Sequence, residues 1–311
     1  MNIKRLLRAG FRYVFSPDYR FLIDCGRGKY DDLPDEEFLM RKYKAVMGRP
    51  LSLDKPRTFS EKLQWLKLHN RKPEYTVMVD KYLVREHIAK TVGEEYLIPL
   101  LGVWSDPDEI DFDALPDRFV LKCNHNSGLG MYICRDKSKM DTERVREELR
   151  RGLRQDYYLT GREWPYRDVP RRITAEAFLE DDECDELRDY KFFCFDGEPM
   201  FCQVISDRST DERMDFFDMA WERAPFSRTV AEGVPYPTAD RPIPVPKTFE
   251  TMKEAAATLS RGVPFLRVDF YEVNGRMYFG ELTFFPASGF CPFTPDEWND
   301  RLGDKIPLPT K

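Results

Sequence analysis

The sequence predicts an α+β fold in which antiparallel hairpins carry the polar chemistry and amphipathic helices cover them. Three observations point to it. Residues 265–289, FLRVDFYEVNGRMYFGELTFFPASG, set two strand-like runs either side of Val273-Asn274-Gly275, where Asn and Gly tolerate the positive φ of a tight turn. Residues 189–208, DYKFFCFDGEPMFCQVISDR, repeat the pattern about Asp196-Gly197. In TFSEKLQWLKL, Thr58 and Glu61 form a capping box ahead of Leu63, Trp65, Leu66 and Leu68, which specifies a helix start.

The remaining elements follow in order. Residues 2–15, NIKRLLRAGFRYVF, place Ile3, Leu6, Leu7, Val14 and Phe15 among Lys4, Arg5, Arg8 and Arg12, a basic amphipathic helix closed by Ser16-Pro17. Such a segment suits either an anionic inner membrane leaflet or docking on its own domain. It has no apolar run long enough for a signal peptide or a membrane span. DEEFLMRKYKAVM (35–47) reads as a helix stopped by Gly48-Arg49-Pro50, and a helix is expected from about Lys81 to Lys90 with Gly93 as its C-cap. A short apolar strand is expected from Tyr96. Asp80 and Lys81 at the helix entry are placed either to meet a ligand or to cap.

DRFVLKCNHNSGLGMYICR (117–135) reads as strand, polar glycine-bearing loop (Asn124 to Gly130) and strand, in which small residues let backbone N–H groups approach an anion beside Lys122. A Walker GKS or GKT is absent, and a plain hairpin fits the same residues. Asp141 caps a helix to about Leu153, with Val145, Leu149 and Leu153 on its covered face. Residues 156–171 read as an irregular aromatic loop, Ile173 to Glu180 as a strand, and DDECDE as a turn or loop. Lys191, alone among aromatics, needs a partner, either Asp189 or a phosphate. A proline-rich linker (234–247) and a helix (248–260) lead to the last hairpin.

That hairpin's register decides what it can do. A two-residue Asn-Gly loop is expected to pair Asp269 with Gly280 and turn Glu281 to the opposite face. A three-residue loop, with Gly275 in a left-handed bulge, puts Arg267, Asp269, Glu281 and Thr283 on one face and Leu266, Val268, Phe270, Tyr278, Gly280, Leu282 and Phe284 on the other. Only the second separates charge from apolar surface, so it is the expected register. Two carboxylates, a hydroxyl and a guanidinium on one face suit Mg²⁺ holding a phosphorylated nucleotide, although an Arg267–Glu281 cross-strand ion pair fits them too.

Composition narrows the function classes. A chain of 311 residues with 41% hydrophobic and 33% charged residues is globular and can form two or three lobes. Its net charge of −6 gives no basic excess for nucleic acid. Cys25, Cys123, Cys134, Cys184, Cys194, Cys202 and Cys291 show no CxxC spacing, which fits a reducing cytoplasm. His69, His87 and His125 offer neither a zinc site nor a Ser-His-Asp triad.

With these pieces in order, the chain resembles the ATP-grasp superfamily in its TupA-like branch, named for teichuronopeptide biosynthesis at bacterial cell surfaces. The resemblance runs from roughly Leu51 to Pro295 through TFSEKLQWLKL, VDKYLVREHI, EEYLIPLLGVW, FVLKCNHNSG, DYKFFCFDGEP and the final hairpin. It implies two α+β lobes holding ATP between antiparallel sheets: an N-terminal helical extension (1–50), an N-terminal lobe (51–115), a lid (116–175) and a catalytic lobe (176–311). It implies that Lys122 and Lys191 contact ATP phosphates under a lid that includes Asn124, Ser127 and Gly128, with Lys81 and Asp189 in the same nucleotide set. Glu176 by side chain and Phe178 by backbone are implied along the adenine. Asp269 and Glu281 are implied to hold Mg²⁺, and Arg267 and Arg208 to serve phosphoryl transfer. Thr283 stands where the family usually has a metal-site Asn, and Lys191 where related ligases often have Arg; these departures put a second Mg²⁺ and a bidentate grip in question.

The implied activity joins a carboxylate, phosphorylated by ATP, to an amine or amino acid. The acid expected from the family's link to surface polysaccharides is a uronate. A glycosyltransferase is the rival, since Asp111-Phe112-Asp113 is a DxD, but it lies in the acidic linker DPDEIDFDALPD. A non-catalytic module is a third reading, kept open by Thr283.

Overall fold

In the computed structural model, residues 11–182, 187–208, 210–231 and 234–309 are described. Most of the basic N-terminal segment (2–10), Cys184 and most of DDECDE lie outside them.

The chain opens with helices. Residues 11–15 are helical, then α1 (Pro17–Cys25), capped by the Ser16 side chain, packs on α2 (Asp35–Met47), which ends at Gly48 with φ 70°. α3 (Phe59–His69) starts at the expected capping box, with Thr58 accepting from the Glu61 amide and Glu61 reaching back. α4 (Glu74–Val79) and α5 (Val84–Thr91) follow. α5 begins later than expected because Asp80 ties residues 80–83 into a turn by accepting from the amides of Tyr82 and Leu83. Tyr96 belongs to a 3₁₀ turn, and the strand expected from it starts at Leu100.

Two sheets follow. The first, in the order β1 (Leu100–Trp104), β4 (Ile173–Ala177), β2 (Phe119–Cys123), β3 (Met131–Cys134), is antiparallel throughout, with α6 (Thr142–Arg154) laying Val145 and Leu149 on it. The short helix α7 (Tyr157–Gly161) leads back towards it. The second sheet runs β11 (Arg276–Thr283), β10 (Phe265–Val273), β5 (Asp189–Phe195), β6 (Glu198–Ser206), β7 (Arg213–Asp218), again antiparallel. α8 (Phe249–Ser260) covers one face. β8 (Ser227–Ala231), β9 (Val234–Pro235) and β12 (Phe293–Thr294) form a small third sheet, and α9 (Glu297–Asp304) packs against α3.

The main core lies under the second sheet, where alternation delivers Phe192, Val268, Phe270 and Leu282 to α8, while α3 adds Phe59 to the other side of the cluster. The Phe59 ring meets Phe265 and Phe293 edge-on at 4.9 and 5.4 Å. Each such buried ring stabilises the fold by about 1.5–3 kcal/mol relative to exposure. The face away from α8 is divided along its length: Phe193, Phe195 and Phe265 pack on Phe59 at one end, and Lys191, Arg267 and Asp269 carry charge at the other.

Candidate functional site

The β10–β11 hairpin brings Arg267, Asp269, Glu281 and Thr283 to one face, as expected, but in a different register and by a different route. Its loop is two residues, Asn274 (φ 51°) and Gly275 (φ 73°), with Val273 opposite Arg276. The offset is taken up inside the ladder: Asp269 lies opposite Glu281, Phe270 opposite Phe279, and Gly280 is the extra residue between them. A Cβ on Gly280 would stand 3.0 Å from the Asp269 carbonyl oxygen, so this close approach suits glycine. The three-residue loop is therefore corrected, and with it the faces. Met277 and Phe279 take the core side, and Tyr278, opposite Tyr271, turns to the polar side.

On that side the Arg267 guanidinium donates to both oxygens of Asp269 (2.7 and 2.7 Å), to Glu281 Oε1 (2.9 Å) and to Thr283 Oγ1 (3.0 Å). Lys191, directly across from Asp269 on β5, gives a third contact to that carboxylate at 2.6 Å and lies 3.6 Å from Asp189. Of the two partners that the sequence allowed for this lysine, Asp189 is present, and Asp269 is the nearer. Burial pulls the Arg267 guanidinium down, but Asp269 and Glu281 hold it above its ordinary value. Burial likewise pushes the Glu281 carboxyl up, yet Lys81, Arg267, Lys191 and Lys122 bring it down to about 2. Arg267 keeps its charge largely covered, and Glu281, its side chain 35% exposed, keeps its charge at the mouth of the cluster.

The opposite wall comes from the first sheet. Lys122 on β2 donates to Glu176 on β4 at 2.6 Å, and Arg85 stands 3.5 Å from the same carboxylate. Lys81 reaches the Asn126 carbonyl (2.8 Å) and lies 3.7 Å from Glu281, linking the glycine-bearing loop to the carboxylate strand. Asn124 is turned away: fully buried, it donates to Asp80 and the Pro170 carbonyl and accepts from the Arg172 amide. Asp80 thus caps and anchors. His125 Nε2 lies 3.1 Å from the Gln155 carbonyl, a loop-stabilising contact, and burial pulls its pKa down.

Between these walls lies a cleft of about 410 Å³, lined by Lys81, Lys122, Ser127, Gly128, Asp189, Lys191, Arg208, Arg267, Asp269 and Glu281 among others. It shares Lys122, Met131, Asp189, Arg208 and Tyr271 with a smaller pocket of about 240 Å³, lined also by Ile98, Val120, Ile133, Glu176, Phe178 and Leu187. The larger part is charged, and the smaller part mixes an apolar lining of Ile98, Val120, Ile133, Phe178, Leu179 and Leu187 with the charged Arg135, Glu176, Glu180 and Asp181. Arg208 bridges to Asp189 at 2.8 Å where the two meet. Asn124 and Thr283 do not line either part; Thr283 stands behind Arg267. Asp111 and Asp113 are exposed, with Asp111 Oδ1 accepting from the Asp113 amide, and line neither part. Sequence periodicity gives no sign of Arg228, Tyr236, Glu212 or Met214 in the larger part. Tyr271 could have been read two residues beyond Asp269 on the same face.

The donor set fits a magnesium–nucleotide. Among the described residues no three His, Cys, Asp or Glu side chains gather as a self-sufficient metal site. Two carboxylates beside a cluster of lysines and arginines are what Mg²⁺ needs when phosphate oxygens supply its other ligands.

Residues 61–307, well over half of the chain, match the family described as TupA-like ATP-grasp. Among solved structures, D-alanine–D-alanine ligase from Helicobacter pylori matches at 14% identity, over 80% of this chain and 69% of that one, with a TM-score of 0.41. The D-alanine–D-alanine ligase from Bacillus anthracis complexed with ATP matches at 16% identity over 74% and 63%, TM-score 0.41. The ATP-grasp ligase PsnB, complexed with minimal precursor, Mg and ADP, matches at 11% identity over 85% and 66%, TM-score 0.36. The chain thus spans less than two thirds of the length of the last two. A search of curated proteins found no match. The family match identifies the chain as a member of the TupA-like ATP-grasp family, a family of ATP-dependent ligases.

Proposed function

We propose that the protein joins a carboxylate to an amine at the expense of ATP, with the nucleotide base against the apolar side chains of the smaller pocket and the phosphates in the charged cleft. The observation that carries this reading is the single cleft in which Lys81, Lys122, Lys191 and Arg267 face the paired carboxylates Asp269 and Glu281. The acceptor carboxylate oxygen attacks the γ-phosphorus as the bond to ADP breaks; the amine nitrogen then attacks the acyl carbon, phosphate leaves, and the nitrogen loses its proton. Phosphoryl transfer asks for positioning and charge neutralisation rather than covalent help from the protein. Lys81, Lys122 and Lys191 offset the phosphate charge, Arg267 sits where charge develops, and loop residues Ser127 and Gly128 close over the phosphates. Glu176 and Phe178 border the base, and Asp189 fixes Lys191 and Arg208. Asp269 and Glu281 would hold Mg²⁺, which when bound neutralises phosphate oxygens; Thr283 would support them through Arg267.

The acceptor of this reading is a uronic acid and the product an amide of a bacterial surface polysaccharide, made in the cytoplasm. The N-terminal segment would rest on the inner leaflet, a reading supported by Phe11, Val14 and Phe15, each at least 60% exposed, alongside the basic residues of 4–12. Incubation with Mg-ATP, a panel of uronic acids and amines, and measurement of ADP release and product mass tests the reaction. Asp269→Asn and Glu281→Gln are expected to abolish ATP turnover while circular dichroism stays native; near-normal turnover in either removes the metal assignment.

A further inference from the structure

A second open cavity, of about 440 Å³, lies against the charged cleft. Its walls are Val46 and Met47 of α2, Arg49 just beyond it, β8, and residues 290–292 with Asp296. It shares one lining residue with the charged cleft, Arg228, and none with the smaller pocket. The second cavity therefore adjoins the charged cleft at Arg228 and does not adjoin the smaller pocket. Arg228 is the partition, and it is held in place, since its Nε lies 2.7 Å from the sulfur of Cys291, which is 8% exposed.

The chemistry of the walls selects an occupant. Two guanidiniums, Arg49 and Arg228, outweigh one carboxylate, Asp296, so the space favours an anion. Thr229 and Asp296 offer oxygens to hydroxyl groups, and the Phe290 ring lines the same space. A site of this volume accommodates a monosaccharide, where a single small amino acid would leave much of it empty. Residues 46–49 precede the span matched by the family, so this wall belongs to the chain's own N-terminal part.

We propose that this cavity is the acceptor site, binding a monosaccharide-sized hydroxylated carboxylate whose acid group lies beside Arg228, at the phosphate end of the cleft, with Arg49 as a specificity residue. The assignment rests on the nucleotide reading of the adjoining cleft. It places the group to be phosphorylated where Arg228 borders the charged cleft.

Calorimetric titration separates the two readings. The non-hydrolysable nucleotide AMPPNP with Mg²⁺ is titrated into wild type, Arg49→Gln and Val230→Trp; D-glucuronate, D-galacturonate, D-glucose and L-glutamate are then titrated into each loaded protein. Arg49 and the 54%-exposed Val230 line the second cavity alone, so AMPPNP should bind all three proteins equally, which also reports that they are folded. At least one hexuronate should bind wild type, glucose should not, and loss of one charged hydrogen-bonding partner should weaken the hexuronate roughly tenfold or more in Arg49→Gln. The tryptophan, by filling the space, should weaken it at least as much. AMPPNP binding with no hexuronate binding, equal hexuronate affinity in all three proteins, or L-glutamate binding as well as the hexuronates overturns the acceptor site while leaving the nucleotide reading intact. Failure of AMPPNP to bind wild type overturns the nucleotide reading, and this one with it.

Discussion

At Glu281 two effects oppose each other. Burial favours the neutral acid, and four cations favour the carboxylate; the cations win, bringing the group from 4.5 to about 2. A folded-state pKa below the unfolded one contributes stability that is present above about 4.5 and lost as pH falls towards about 2. Thermal unfolding followed between those values should therefore show a shallower acid loss in Glu281→Gln than in wild type; parallel profiles would mean that the lysines do not act on this carboxylate. Lys122 belongs to the same field but sits on the other wall, against Glu176. Its replacement by alanine should raise the apparent KM for ATP about tenfold or more, the scale of one charged hydrogen bond, while leaving the sheet intact. An unchanged KM would take Lys122 out of the nucleotide contacts.

Hairpin geometry is where sequence and structure part company. Segregating charge from apolar residues was enough to put Asp269 and Glu281 on one face, because a buried face rejects a carboxylate whatever the turn does; that they stand directly opposite one another is a result of the bulge. The same reasoning put the extra residue in the loop, since Asn-Gly signals a turn but says nothing about irregularity five residues later. Gly280 reads as an ordinary strand glycine; only the 3.0 Å approach of the Asp269 carbonyl to its missing Cβ marks it as the bulge. Gly280→Ala must push that carbonyl away or reset the register, and either moves Asp269 relative to Glu281. We expect ATP turnover to fall at least tenfold for a stability loss of about 1–3 kcal/mol. Wild-type turnover with native urea stability would show that the bulge tolerates a side chain. Thr58 and Glu61, by contrast, were legible because a capping box is local. β7, β8 and β9 were not: β7 lies on its neighbour β6 and β9 on its neighbour β8 with no Asn-Gly-like signal to announce the turns, and the other partner of β8, β12, is more than sixty residues away.

Across the whole molecule, the carboxylate strand is tied to the helices by a buried charge that no sequence pattern exposes. Lys67 sits in QWLKLH, where a lysine between leucines on a helix reads as a solvent-facing residue, yet it is fully buried. Its Nζ donates to the carbonyls of Gly161 (2.7 Å) and Ser288 (2.8 Å), joining α3, the end of α7 and the loop after Thr283. That loop holds Ala287 and Ser288 at φ 49° and 55°, left-handed values that cost of order 1–3 kcal/mol each and persist only under external support. Gln64 adds support, donating to the Gly289 carbonyl at 2.9 Å. Burial pushes Lys67 down to about 7, with Glu163 opposing, and pushes the Glu163 carboxyl up, so each depends on the other. Lys67→Met keeps the volume but removes the donor to two carbonyls and one of the cations near Glu163, and should cost about 2–4 kcal/mol in urea unfolding. Glu163→Gln in the same chain removes the carboxyl group. The double variant should be more stable than the sum of the single losses by about 1–3 kcal/mol. Strict additivity in that cycle would show that the two groups do not support one another, leaving Lys67 to act on the strained loop only through its hydrogen bonds to Gly161 and Ser288.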